Sequence, residues 1–139
     1  MNWFYWALAS AFFAGLTAIL AKVGVEGVNS NLATAIRTTV VLLFTWPLAL
    51  LSVPPSSMLQ LGQRTWLFLV LSGLATGLSW VCYFRALQLG PAAQVAPIDK
   101  LSVLFVIAFA TLFLGEHLTW HHWVGGALIF GGAAILATR

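Results

Sequence analysis

Asp99 and Lys100 are adjacent charges at the head of an uncharged run, Leu101 to Leu114. As a helix that run rises only about 21 Å, short of the roughly 30 Å hydrocarbon core of a bilayer. A spanning helix must therefore begin near Ala92, which puts both charges inside the membrane. Each then costs about 2.5 to 3.5 kcal/mol, so such residues face a bundle interior or a watery cavity and serve ion, proton or solute pathways. Glu26 and Glu116 fall at loops, leaving Asp99 as the carboxylate for proton coupling. The cations expected beside it are Arg37, Arg85 and Lys100. Cations outnumber the acid, which favours an anionic or zwitterionic solute, and guanidinium suits carboxylate or phosphate. Trp80 and Tyr83 add aromatic faces for a ligand.

Helical depth brings these groups to one layer. Arg37 lies about 7 to 8 Å into the second helix, Arg85 about 7 Å before a hairpin, and Asp99 about 10 to 12 Å beyond it. An arginine is expected to reach Asp99 across that hairpin, because a paired charge is cheaper to bury than a lone one. Pro97 removes a backbone donor, loosens the Ala93 carbonyl and predicts a kink or gate beside the charges, a recurring device at transporter sites. The structural alternative is an ion-paired staple across the second, third and fourth helices, with long side chains snorkelling to the surface.

Composition dictates the scaffold. Residues of hydrophobic type make up 61% of the 139 and charged ones 6%, against about 25% in soluble domains. Mean hydropathy is +0.99. A water-soluble surface cannot be built from this, and the uniformly apolar runs lack the alternation of a membrane barrel. The fold class is all-α integral membrane. Five transmembrane helices are read, approximately 3–22, 32–51, 65–89, 92–114 and 120–138, in a single domain covering 1–139. Glu26 to Asn31 makes a polar turn, Pro54-Pro55-Ser56-Ser57 stops the second helix, Gly90-Pro91 makes a tight hairpin, and Thr119 caps the last helix. The first segment is no secretory signal: no positive residue precedes it and its apolar run is too long.

Trp3, Tyr5, Trp6, Trp46, Trp66, Trp120 and Trp123 fall at helix ends on one membrane side, as an aromatic belt. Small residues at four-residue spacing offer close helix approach: Gly73 with Gly77, Ala7, Ala11 and Gly15, and Ala127 with Gly131, with Gly126 beside them. These serve packing within the chain or dimer contacts. Counting every Lys and Arg favours the side of Lys22, Arg37, Arg85, Lys100 and Arg139 as cytoplasmic, whereas the flanking charges alone, Arg64 against Lys22 and Arg139, are nearly balanced.

Lys22 ending the first helix, Arg37 early in the second, Tyr83-Phe84-Arg85-Ala86-Leu87 closing the third, Gly90-Pro91 with Ala96-Pro97 opening the fourth, Leu114-Gly115-Glu116 ending it, and Gly125-Gly126 to Gly131-Gly132 in the fifth together resemble the EamA domain of the drug/metabolite transporter superfamily. The resemblance spans the whole chain. It implies half of a ten-helix inverted-repeat transporter of small metabolites, with Met1 inside. An odd span number inverts a tandem copy, so a single domain reproduces that architecture only as an antiparallel, dual-topology homodimer. Asp99-Lys100 stands where many relatives are uncharged. Small multidrug exporters, distant members of that superfamily, use an acid in the first helix, and Trp3 to Ala21 has none, which argues against lipophilic cations.

The leading function is thus a secondary transporter of a small anionic or zwitterionic metabolite in the cytoplasmic membrane. A subunit of a lipid-linked sugar flippase and a non-transporting assembly subunit are the alternatives. Nothing suggests an enzyme: no nucleophile has a His and acid partner, no phosphate-cradling loop is present, and no cofactor or nucleic-acid surface is read. His117, His121 and His122 beside Glu116 lack a shared i, i+4 face because the helix begins after Thr119, so no metal is assigned. Cys82 is the single cysteine and is read as a packing residue.

Overall fold

The computed structural model describes residues 2–138, so Met1 and Arg139, including the latter's part in the charge count, lie outside the described residues. Its regular elements are α1 (Trp3–Gly24), α2 (Ser30–Ser52), a 3₁₀ helix (Pro55–Gln60), α3 (Gln63–Leu89), α4 (Ala92–Asp99), α5 (Ser102–Leu114) and α6 (Trp120–Ala137). Among the described residues, four stretches are long and apolar enough to cross a membrane: Trp3–Gly24, Ser30–Ser52, Gln63–Leu89 and Ala92–Leu114. Most large apolar side chains along them are exposed, from Trp3 at 76% to Leu112 at 75%. In water that surface would be untenable, and lipid is the solvent it fits.

The expected count of five helices is corrected to six, because the predicted fourth is two. The break follows from Pro97, which has no N–H to give the Ala93 carbonyl. Beyond it the winding tightens: Leu101 N–H donates to Ile98 O at 3.0 Å, Val103 N–H to Lys100 O at 3.1 Å and Leu104 N–H to Leu101 O at 2.9 Å. These are i to i−3 steps, the 3₁₀ spacing that marks a strained or hinged helix. Lys100 and Leu101 keep right-handed angles, φ −70° and −62°. The chain is overwound at the charged pair rather than turned aside.

The chain divides into two compact units. One comprises 24–88, with α2, the 3₁₀ helix and α3. Gly27 turns the chain at φ +71°, a conformation that favours glycine. Asn29 then caps α2, its side chain accepting from the Asn31 amide at 2.9 Å and that of Leu32 at 3.4 Å. Pro47 sits inside α2, which nonetheless continues to Ser52. Val25, Ser30, Thr34, Phe84 and Leu87 are buried.

The other unit comprises 2–23 with 89–138. Here α4 and α5 pack on α6. Space is tight at Gly126, where a Cβ would stand 3.0 Å from Leu104 Cδ2. Gly115, at φ +66°, ends α5, and the Glu116 N–H closes it on Ala110 O at 3.2 Å. Thr119 starts α6 as expected, its N–H donating to His122 Nδ1 at 3.1 Å. His122 is therefore a capping group. The predicted fifth helix is present as α6, whose first turn, Trp120-His121-His122-Trp123, is polar, and it is not among the four stretches above.

Candidate functional site

The first unit holds the most developed site. Trp80 and Phe84 are one helical turn apart on α3, and the Arg37 guanidinium from α2 lies over both rings, with Cζ 4.3 Å from the Trp80 centroid and 5.4 Å from that of Phe84. Arg37 is half-buried within an apolar span. The ring quadrupoles compensate its charge by up to about 2 kcal/mol when water is excluded. No carboxylate among the described residues forms an ion pair with it. A planar cation so held presents its edge donors to an anion.

Trp80 also ends a groove of about 400 Å³ along α2 and α3. Its walls include Thr38, Val41 and Thr45 on one side and Leu69, Gly73 and Gly77 on the other. A Cβ at Gly73 or Gly77 would meet nothing within 4 Å. Thr38, Thr45 and Thr76 hydroxyls donate to Thr34 O at 2.8 Å, Val41 O at 2.9 Å and Ser72 O at 2.9 Å. Such back-bonding satisfies hydroxyls in a setting without water.

Arg85 is exposed and donates through Nη1 to Gln88 Oε1 at 3.0 Å. Gln88 in turn donates its amide to Val28 O, and to Val25 O at 3.4 Å. Tyr83 is half-buried. Gln88 was invisible in the sequence, because its carbonyl partners lie 60 or more residues away in a loop with no motif.

In the other unit, sequence analysis gives Asp99 an arginine partner, and the structure gives it Lys100, with Nζ 3.3 Å from Oδ2. Their side chains are 36% and 59% exposed, an open pair of neighbours at the overwound turn after Pro97. Lys22 Nζ donates to Gly90 O at 3.1 Å. Of the small residues, Gly126 packs within the chain, whereas Gly15 and Gly131, like Gly73 and Gly77, have open space beside them.

A family model described as the EamA-like transporter family matches residues 1–138. The chain is 53% identical over 136 residues to a Sinorhizobium sp protein named "Uncharacterized transporter in cobO 3'region", covering 98% of this chain and 96% of that one. It is 34% identical over 84 residues to the "Probable 4-amino-4-deoxy-L-arabinose-phosphoundecaprenol flippase subunit ArnE" of Pseudomonas fluorescens, covering 60% of this chain and 71% of that one. No solved structure matches the chain.

Proposed function

Because the chain belongs to the EamA-like transporter family, we propose that this multi-pass membrane protein is a secondary carrier for a solute bearing an anionic or zwitterionic group. The observation that carries this reading is Arg37, a guanidinium inside an apolar span, laid on Trp80 at one end of an open groove and without a carboxylate partner among the described residues. Stabilising such a cation without an acid leaves its donors for a ligand.

Trp80 and Tyr83 flank the bound group in this reading, Arg85 assists as a second guanidinium, and Asp99 with Lys100 forms the coupling pair. Pro97 and the overwound turn after it supply the hinge. The unit of function is a single domain whose five membrane crossings, α4 with α5 making the fourth and α6 the fifth, form half of a ten-helix inverted repeat. The other half is a second copy inserted the opposite way in the cytoplasmic membrane, touching through Gly15 and Gly131. The near balance of Arg64 against Lys22 and Arg139 supports insertion in both orientations.

Uptake of labelled metabolites by proteoliposomes tests this. Arg37→Gln should abolish transport while the protein still inserts, and Asp99→Asn should remove its dependence on a pH gradient. Unchanged uptake in both would reject the roles. Reporter fusions at both termini test dual topology: one fixed orientation for all molecules excludes the antiparallel pair. A second reading, a subunit of a lipid-linked sugar flippase, is supported by the similarity to the protein named as such a subunit. It predicts dependence on a different partner chain, which co-purification would reveal.

A further inference from the structure

We propose that the groove between α2 and α3 seats the hydrocarbon tail of a single-chain anionic amphiphile whose head docks on Arg37. The inference rests on the anion-site reading of Arg37 above and narrows the ligand from any anionic solute to a lipid-like one.

The lining carries the argument. Thr38, Thr45 and Thr76 commit their hydroxyl protons to carbonyls of their own helices. Val41, Leu42, Leu69 and the Gly73 and Gly77 backbones add an apolar wall with little to offer a polar solute, and Ser72 adds one further hydroxyl to the lining. A hydroxyl or amide placed there would give up water without replacement, at about 1–3 kcal/mol per group. A hydrocarbon chain forfeits nothing. A strong donor stands next to one end: the Arg37 guanidinium, itself outside the groove lining, covers the Trp80 ring that ends the groove.

Depth gives the same orientation. Arg37 stands about 10 Å along α2 from Ser30, and the groove wall continues to Thr45, about 22 Å along. In a hydrocarbon core of about 30 Å, the cation is in the outer third and the groove passes the midplane. A lipid lies the same way, head outward and tail inward, with its chain parallel to the helices. The groove is open and measures about 400 Å³.

The rival occupant is a helix of a second copy, which a glycine floor would admit. Inside its spans that copy offers one acid, Asp99, already paired with Lys100, so it brings no anion free for Arg37. Charge complementarity favours the amphiphile.

Native mass spectrometry of the full chain in nonionic detergent, titrated with hexadecyl phosphate, hexadecanol and inorganic phosphate, tests this. Hexadecyl phosphate should bind once and at least about tenfold more tightly than either other probe. Arg37→Gln, and Gly77→Leu or Thr45→Leu from the opposing walls, should each weaken it by about tenfold or more. Should Gly77→Leu fail to fold, Thr45→Leu decides. Equal affinity for the alcohol and the phosphate ester would overturn the proposal, as would undiminished binding in the groove variants. Loss of cross-linked dimer in Gly77→Leu with amphiphile binding intact would assign the groove to a second copy and overturn it too. Tight binding without transport in liposomes would sink the carrier reading alone; uptake of a small anion with no amphiphile binding would sink this one alone.

Discussion

Arg85 and Gln88 are joined by a 3.0 Å hydrogen bond one turn apart near the end of α3, and the same Gln88 amide holds the carbonyls of Val25 and Val28 in the turn before α2. A glutamine there works in both directions: its oxygen takes the exposed arginine while its nitrogen ties down a loop whose Val25 is buried. Gln88→Leu removes that donor from two part-buried carbonyls and should destabilise the fold by about 1–3 kcal/mol. Thermal unfolding in detergent, with faster amide exchange over residues 25–29, measures it. A melting curve superimposable on the parent's would show the bonds to be idle.

The contact of Arg37 with Trp80 makes a separate prediction, because ring type and cation shape both enter it. Trp80→Phe keeps a π face, whereas Trp80→Leu removes it and should cost about 1–2 kcal/mol. Arg37→Lys keeps the charge but loses the planar fork that both lies flat on the indole and grips an oxyanion. The expected order of anion affinity is therefore parent, then Arg37→Lys, then Arg37→Gln. Isothermal titration of the purified variants checks it, and a lysine variant equal to the parent would mean that only charge matters.

Much of this was legible in the residues and some was not. Apolar runs placed the helices to within about two residues at most ends, and the polar turn from Glu26 to Asn31, Gly90-Pro91 and Thr119 marked boundaries, although the capping role of Asn29 within that turn was not read. Arg37 and Trp80 were each singled out by type, but their meeting depends on how α2 lies against α3, which no local pattern encodes. Pro97 announced a kink, yet the separate α4 and α5 arise from the tighter winding from Ile98 to Leu104, a hydrogen-bond choice with no residue signature. The groove was missed because Thr38, Thr45 and Thr76 look polar in sequence and become ordinary lining once their protons return to the backbone.

That winding can be tested directly. Pro97→Ala gives Ala93 O a donor and should let α4 and α5 form one ladder, leaving stability equal or higher. If the hinge serves transport, the same change should slow turnover several-fold while ligand affinity holds. Amide exchange over residues 98–104 together with initial uptake rates separates the effects. Undiminished turnover with slowed exchange would make the hinge dispensable.

The small residues permit a contrast between packing inside the chain and contact with a second copy. Gly126 already faces Leu104 at a distance where a Cβ is crowded, so Gly126→Leu overpacks the α5–α6 contact and should cost about 1–3 kcal/mol. Gly131, on the same helix, has nothing within 4 Å of where its Cβ would stand. Gly131→Leu should therefore leave the melting temperature of the isolated chain nearly unchanged. If small residues mediate helix contact between copies, as they do in many membrane dimers, the same substitution should shift the population toward monomer. Single-molecule photobleaching in liposomes counts chains per particle, and a Gly131→Leu variant as dimeric as the parent would move the contact away from α6.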